Sequence, residues 1–199
     1  MQMSEGFTGF PPSGPAFLAG LGEHNNRDWF TANRAGYDDG LMTPGKSFVV
    51  AIGERLDAIA PGIHAEPRVN GSIFRIHRDT RFSVDKTPYK THFDMMFWQG
   101  EGRSRENAAY FFRLTATELH VGCGIHGFDK TLLAGWRAAI DDDKRGGDAV
   151  AAIAAVREAG PYEIGGTHYM KVPRGYAPDH ARADLLKCNA LWVGHQLPL

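Results

Sequence analysis

Hydrophobic residues recur at helical spacing through the first third of the chain. Apolar positions three and four residues apart indicate amphipathic helices, each with one face turned toward a core. Pro15 suits the first turn of the first helix, whereas Asn25 and Asn26 end it and cap the second. Thr43 and Pro44 begin a third helix. The predicted inner faces carry Phe17, Leu18, Leu21, Trp29, Phe30, Tyr37, Phe48, Val49, Ile52, Leu56 and Ile59.

The middle of the chain changes to a period of two, which indicates strands. We predict strands over residues 73–77 and 93–98, and a hairpin of residues 109–115 and 118–123 that turns near Ala116. No segment long enough for a crossover helix separates these strands. They are therefore expected to pair antiparallel.

Helical spacing returns after Gly127. Asp129 and Asp148 are suitable caps for two further helices, and short strands are predicted around Gly165, with a last short helix capped by Asp179. With no linker or repeat along the chain, we predict one α+β domain over residues 1–199. Its antiparallel sheet should carry helices packed mainly on one face.

Composition narrows the classes of function. A net charge of −1 over 199 residues makes nucleic acid an unlikely partner, because a polyanion surface requires a broadly basic face. No apolar run reaches the length of a membrane span, so we expect no membrane partner. The start shows no secretory signal, and two widely spaced cysteines suit free thiols in a reducing compartment. We expect a cytoplasmic protein.

Residues 75–90 form the densest charged segment of the chain. They contain five basic and two acidic side chains, an excess of three positive charges in a nearly neutral protein. Each of these charges needs water, a partner or a ligand. The segment carries Arg75, Arg78, Arg81, Lys86 and Lys90 beside Asp79, Asp85, His77 and Tyr89.

Two interpretations of this charged segment remain open. In the first, the segment binds an anionic small molecule, and the protein is an enzyme of unknown reaction or a binding protein. The anion would be clamped by Arg75, Arg78 and Arg81. Asp79 and Asp85 would hold these arginines in place. The pocket would be lined by Lys86, Tyr89 and Lys90. In the second, the charges form a structural ion-pair network in a non-enzymatic domain that binds another protein.

The sequence assigns no catalytic residue, cofactor or metal. His120, Cys123 and His126 are metal-capable, but His120 and Cys123 project to opposite faces of a regular strand. We therefore expect a bend at the intervening glycine with a buried thiol. The acidic run of residues 141–143 lacks the ligand spacing of a calcium loop and is expected to be a solvated helix end.

The charged segment also carries a family resemblance. Arg75-x-x-Arg78-Asp79-x-Arg81-Phe82, followed by Asp85-Lys86-x-Pro88-Tyr89-Lys90, resembles the signature of the bacterial family known as domain of unknown function 2461. Similar matches at residues 25–30, 122–124, 173–176 and 184–187 extend the likeness over nearly the whole chain. The resemblance implies a single-domain protein and directs attention to the same charged segment, but it implies no activity.

Overall fold

The computed structural model describes residues 6–102 and 107–199, and the fold is α+β. The first part is helical, with α1 at Ser13–Glu23, α2 at Arg27–Ala32, α3 at Arg34–Tyr37, a π-helix at Asp38–Met42 and α4 at Thr43–Asp57. The strands are β1 at Phe93–Trp98, β2 at Ala109–Leu114, β3 at Glu118–Ile125, β4 at Glu163–Thr167 and β5 at Cys188–Pro198. The remaining helices are α5 at Lys130–Asp141, α6 at Asp143–Ala159 and α7 at Ala183–Leu186.

The five strands form one antiparallel sheet in the order β1-β2-β3-β5-β4. This order confirms the predicted antiparallel α+β class. Strand β5 lies between β3 and β4 and was not predicted from the sequence. Most residues of β5 are half-buried rather than alternately buried and exposed, so their pattern gives a weak signal of period two.

The chain divides into two compact units. Among the residues that the structure describes, the first comprises 6–100, 110–121 and 196–199, and the second comprises 101–102, 107–109 and 122–195. The expectation of a single domain over the whole chain stays a prediction.

A cluster of apolar side chains forms the core of the first unit. Phe93, Met95 and Phe97 of β1 are almost fully buried, and the same cluster includes Leu18 of α1 and Val49 of α4. Alternate residues of a strand point to one face, so these contacts place the helical layer on that face of β1. The predicted inner faces of α1 and α4 are confirmed except at Ile59, which follows α4 and is 71% exposed.

The second predicted helix is interrupted. It divides at Asn33 into α2 and α3 and then continues as the π-helix, in which Gly40 lies against Gly14 of α1. A Cβ atom at Gly40 would stand 2.8 Å from the backbone nitrogen of Gly14. The two segments approach too closely for side chains at these positions, and this tertiary contact has no signature in local spacing.

Other expectations also differ from the structure. The cap of α6 is Asp142 rather than Asp148, and α7 begins after Arg182 rather than after Asp179. Residues 73–77 form three isolated bridges, Ile73 with Val69 and with Met95 and His77 with Tyr89, rather than a continuous strand. Cys123 is exposed in an unbroken β3 and not buried at a bend. Glycine is needed in β3 not for a bend but because β5 lies close to it. A Cβ at Gly122 would lie 2.5 Å from a backbone oxygen of β5.

Candidate functional site

The charged segment folds as a short hairpin, here called the basic hairpin, over residues 75–90. Its two arms are joined by backbone hydrogen bonds from Arg78 to the carbonyl of Pro88 at 2.9 Å and from Lys90 to the carbonyl of Ile76 at 2.8 Å. Residues 79–87 form the loop at its end. The backbone of the segment is therefore paired at its base rather than held only by charges.

Asn25, between α1 and α2, fastens the base of the hairpin to the helical layer. Its side-chain amide donates to the carbonyl of Tyr89 and its oxygen accepts from the Tyr89 amide, both at 3.0 Å. The Tyr89 ring stacks on Phe30 of α2 with 4.3 Å between centroids. Asn26 meanwhile caps α2 by accepting from the amide of Trp29, as predicted. The base of the hairpin thus has a fixed position.

Arg78 closes the loop from one side. Its guanidinium donates to the carboxylate of Asp85 and to the hydroxyl of Thr87. Asp85 also accepts from the backbone amide of Thr87 at 2.9 Å and from its hydroxyl at 3.0 Å. These bonds tie residue 78 to residues 85–87 and define the width of the loop.

Asp79 and Arg81 form a second, separate pair on the loop. The arginine Nε and Nη2 donate to the two carboxylate oxygens at 2.9 and 2.7 Å, a bidentate arrangement that orients both groups. Because the two residues are only two positions apart, this pair orders the turn and does not reach another element. The Arg81 side chain remains 76% exposed.

Both aspartates of the hairpin have pKa values below the ordinary range. Hydrogen bonds from the side chain and then the backbone of Arg81 lower the pKa of Asp79 to about 2. The backbone amide of Thr87, followed by the side chains of Arg78 and Thr87, lowers the pKa of Asp85 to about 2. Both carboxylates therefore stay ionised at neutral pH, and each neutralises one arginine.

Arg75 and Lys86 are in a different situation. Both side chains are exposed, and neither forms an ion pair with any residue in the described ranges 6–102 and 107–199. The Lys86 ammonium donates to the carbonyl of Thr80 at 2.9 Å, which leaves its charge uncompensated. Lys90 extends its ammonium over the Phe74 ring, 5.3 Å from the centroid.

The structure therefore brings the predicted residues into one hairpin but does not make them equivalent. Arg78 and Arg81 are paired with the predicted supporting residues Asp85 and Asp79. Both pairs are partly exposed to solvent, whereas the charges of a buried ion-pair network would be shielded from it. Tyr89 is only 5% exposed and packs in the core, so any contribution to a pocket stays a prediction.

Sequence reasoning missed a second polar cluster on β1 and β2. Asp94 is 7% exposed and accepts hydrogen bonds from Nε and Nη2 of Arg113 at 2.7 and 2.9 Å. His92 lies 3.3 Å from the same carboxylate. Asp94 resembled part of an apolar strand in the sequence, and its partner stands 19 positions later. Only the pairing of the strands brings the two together.

The environment of Asp94 combines opposing effects on its pKa. Burial alone would raise the pKa, but hydrogen bonds and charges from His92 and Arg113 outweigh burial and lower it to about 2. The carboxylate is thus held ionised in a place where water is largely excluded. This pair stabilises the contact between β1 and β2.

Metal binding has no support in the described part of the chain. Across residues 6–102 and 107–199, no three or more histidine, cysteine, aspartate or glutamate side chains are grouped to hold an ion. Within the acidic run, Asp142 caps α6 by accepting from the amide of Arg145, and Asp143 pairs with Arg182. These aspartates have structural partners.

Together the fold and the site define an α+β protein with a basic hairpin fastened to its helical layer. The chain belongs to the family described as conserved hypothetical protein (DUF2461), which matches residues 14–199. A comparison with curated proteins finds no match. Among the residues that the structure describes, no helix has the length and apolar character needed to cross a membrane.

Proposed function

We propose that the basic hairpin binds an anionic small molecule through Arg75 and Lys86. One observation carries this proposal. Asp79 and Asp85 neutralise Arg81 and Arg78, and the positive excess of the hairpin therefore resides on other side chains. Exposed cations on one short segment raise the local positive potential, and a bound anion with phosphate or carboxylate groups would neutralise it.

The paired residues supply rigidity in this proposal. Binding costs less free energy when the groups that contact a ligand already stand on an ordered framework. The bonds of Arg78 to Thr87 and of Asn25 to Tyr89 hold the loop and the base of the hairpin. Arg78 and Arg81 then act mainly by shaping the loop, and their remaining N–H groups supply a second contact to the anion.

A thermal-shift panel of nucleotides, sugar phosphates and organic acids tests the proposal. A ligand at about 100 times its dissociation constant adds roughly 2.7 kcal/mol to the free energy of unfolding. For a chain of this size, that is a rise in Tm of about 5–10 °C. Arg75→Gln and Lys86→Gln should each reduce the rise.

The matched control is Arg174→Gln, which removes an exposed arginine from a loop of the other unit. It changes the net charge by the same amount and should leave the ligand response unchanged. The proposal fails if no anion stabilises the wild-type chain, or if Arg75→Gln and Lys86→Gln respond as the control does.

A further inference from the structure

The end of the basic hairpin displays two large apolar side chains. Phe82 is 96% exposed and Val84 is 101% exposed, so each stands almost wholly in water. The guanidinium of Arg81 lies 5.8 Å from the centroid of the Phe82 ring but covers little of it. Two apolar groups within three residues of a loop end, both without cover, indicate a surface that meets a partner.

The charges around this end restrict the chemistry of that partner. Asp79 and Asp85 are each paired with an arginine, so the hairpin presents a net positive charge from Arg75 at its base and from Lys86 on the loop that carries the apolar end. A complementary partner must therefore offer an apolar interior and an anionic surface together.

We infer that the basic hairpin docks on an anionic lipid surface. Phe82 and Val84 enter the boundary between headgroups and acyl chains, and Arg75 and Lys86 contact the lipid phosphates. This inference rests on the proposed function, because the lipid phosphate is then the anion that the hairpin binds. It concerns attachment to a membrane surface and departs from the expectation of no membrane partner, which rested only on the lack of a spanning segment.

The size of the apolar end favours lipid over a protein partner. A stable protein interface buries about 800 Å² on each side, and two side chains supply only a small part of that area. A bilayer needs no matching cavity, and it gains affinity from each inserted apolar group and each nearby cation. The side-chain pairs of the loop fix the apolar end without shielding it.

Co-sedimentation of the full chain with vesicles provides the test. The wild type should bind phosphatidylcholine vesicles that contain about a third phosphatidylglycerol, and bind pure phosphatidylcholine at least tenfold more weakly. The double variant Phe82→Ser/Val84→Ser should lose at least tenfold in partitioning. Arg75→Gln and Lys86→Gln should each lose about fivefold. The control Ile59→Ser/Met170→Ser changes side chains that are 71% and 92% exposed and should bind like the wild type.

The two proposals fail in different ways. If soluble anions stabilise the wild type through Arg75 and Lys86 but anionic vesicles are not bound, the lipid inference is wrong and the proposed function stands. Equal vesicle binding by the wild type and by Phe82→Ser/Val84→Ser also overturns the lipid inference. A partner protein that binds through Phe82 without any vesicle binding would place the loop end in a protein interface instead. If neither vesicles nor soluble anions bind, both proposals are wrong.

Discussion

Replacing Asp94 by asparagine tests the energetic account of the sheet. The substitution keeps the shape of the side chain but removes the negative charge of the carboxylate that interacts with Arg113 and His92. The folded-state pKa of Asp94 is about 2, against an ordinary value of 3.8. A difference of nearly two pKa units corresponds to about 2.5 kcal/mol of stability at neutral pH.

The expected loss of stability also depends on how far Arg113 is exposed to water. Breaking a fully buried ion pair costs roughly 3–5 kcal/mol, because one charge is left without a partner. Arg113 is 35% exposed, so water can replace part of its lost contact. We therefore expect Asp94→Asn to lower the free energy of unfolding by about 2–3 kcal/mol, which is a fall in Tm of roughly 5–10 °C.

The effect should also depend on pH in a defined direction. Because the folded-state pKa of Asp94 is lowered, its stabilisation is complete above the unfolded value of 3.8 and is lost as the pH falls toward about 2. The gap in stability between wild type and Asp94→Asn should thus be nearly complete at pH 5 and shrink as the pH falls below it. It should fall to about half by pH 3.

Urea denaturation followed by circular dichroism measures this gap, provided that the dependence on urea has the same slope in both proteins. Asp148→Asn, an exposed change of the same kind on α6, is the control and should shift stability by less than about 0.5 kcal/mol. A loss below about 0.5 kcal/mol for Asp94→Asn at pH 7, or a gap that is unchanged at pH 3, would refute the reasoning.

Three further predictions follow from single contacts. Arg78→Gln should lower Tm less than the loss of a buried ion pair would, because its carboxylate partner is exposed, and hydrogen exchange should quicken in residues 79–87. Asn25→Ala should cost about 1–3 kcal/mol in urea denaturation, because it removes both bonds to the Tyr89 backbone; a loss below about 0.5 kcal/mol would contradict this. Gly122→Ala should destabilise, because its Cβ would lie 2.5 Å from a backbone oxygen of β5, whereas Gly147→Ala in α6 meets nothing within 4 Å and should be neutral or stabilising by up to about 1 kcal/mol. Equal Tm values for these two glycine variants would contradict the close strand approach.

The sequence predicted the elements whose side chains follow one local rule. The apolar stripe of α4 and the cap at Asn26 depend on neighbours a few positions away, and both are present in the structure. The charged segment at residues 75–90 was equally visible as composition. In each case the physical cause lies within one element, so that spacing alone reveals it.

The remaining features depend on contacts between distant segments. The close approach of Gly14 and Gly40 involves a π-helix over Asp38–Met42, a segment for which no element was predicted. The pairing of Asp94 with Arg113 requires that β1 and β2 be adjacent. The division of the hairpin charges into paired and uncompensated side chains likewise depends on how the loop folds. Local patterns do not encode these arrangements.

An NMR titration of the full chain with inorganic phosphate tests the central proposal most directly. If the basic hairpin is an anion site, amide resonances of residues 75–90 should shift in a saturable way, and Arg75→Gln with Lys86→Gln should abolish the shifts. The control Arg174→Gln should show the same titration as the wild type. Shifts spread evenly over the surface, or hairpin shifts that persist in the double variant, would contradict the account.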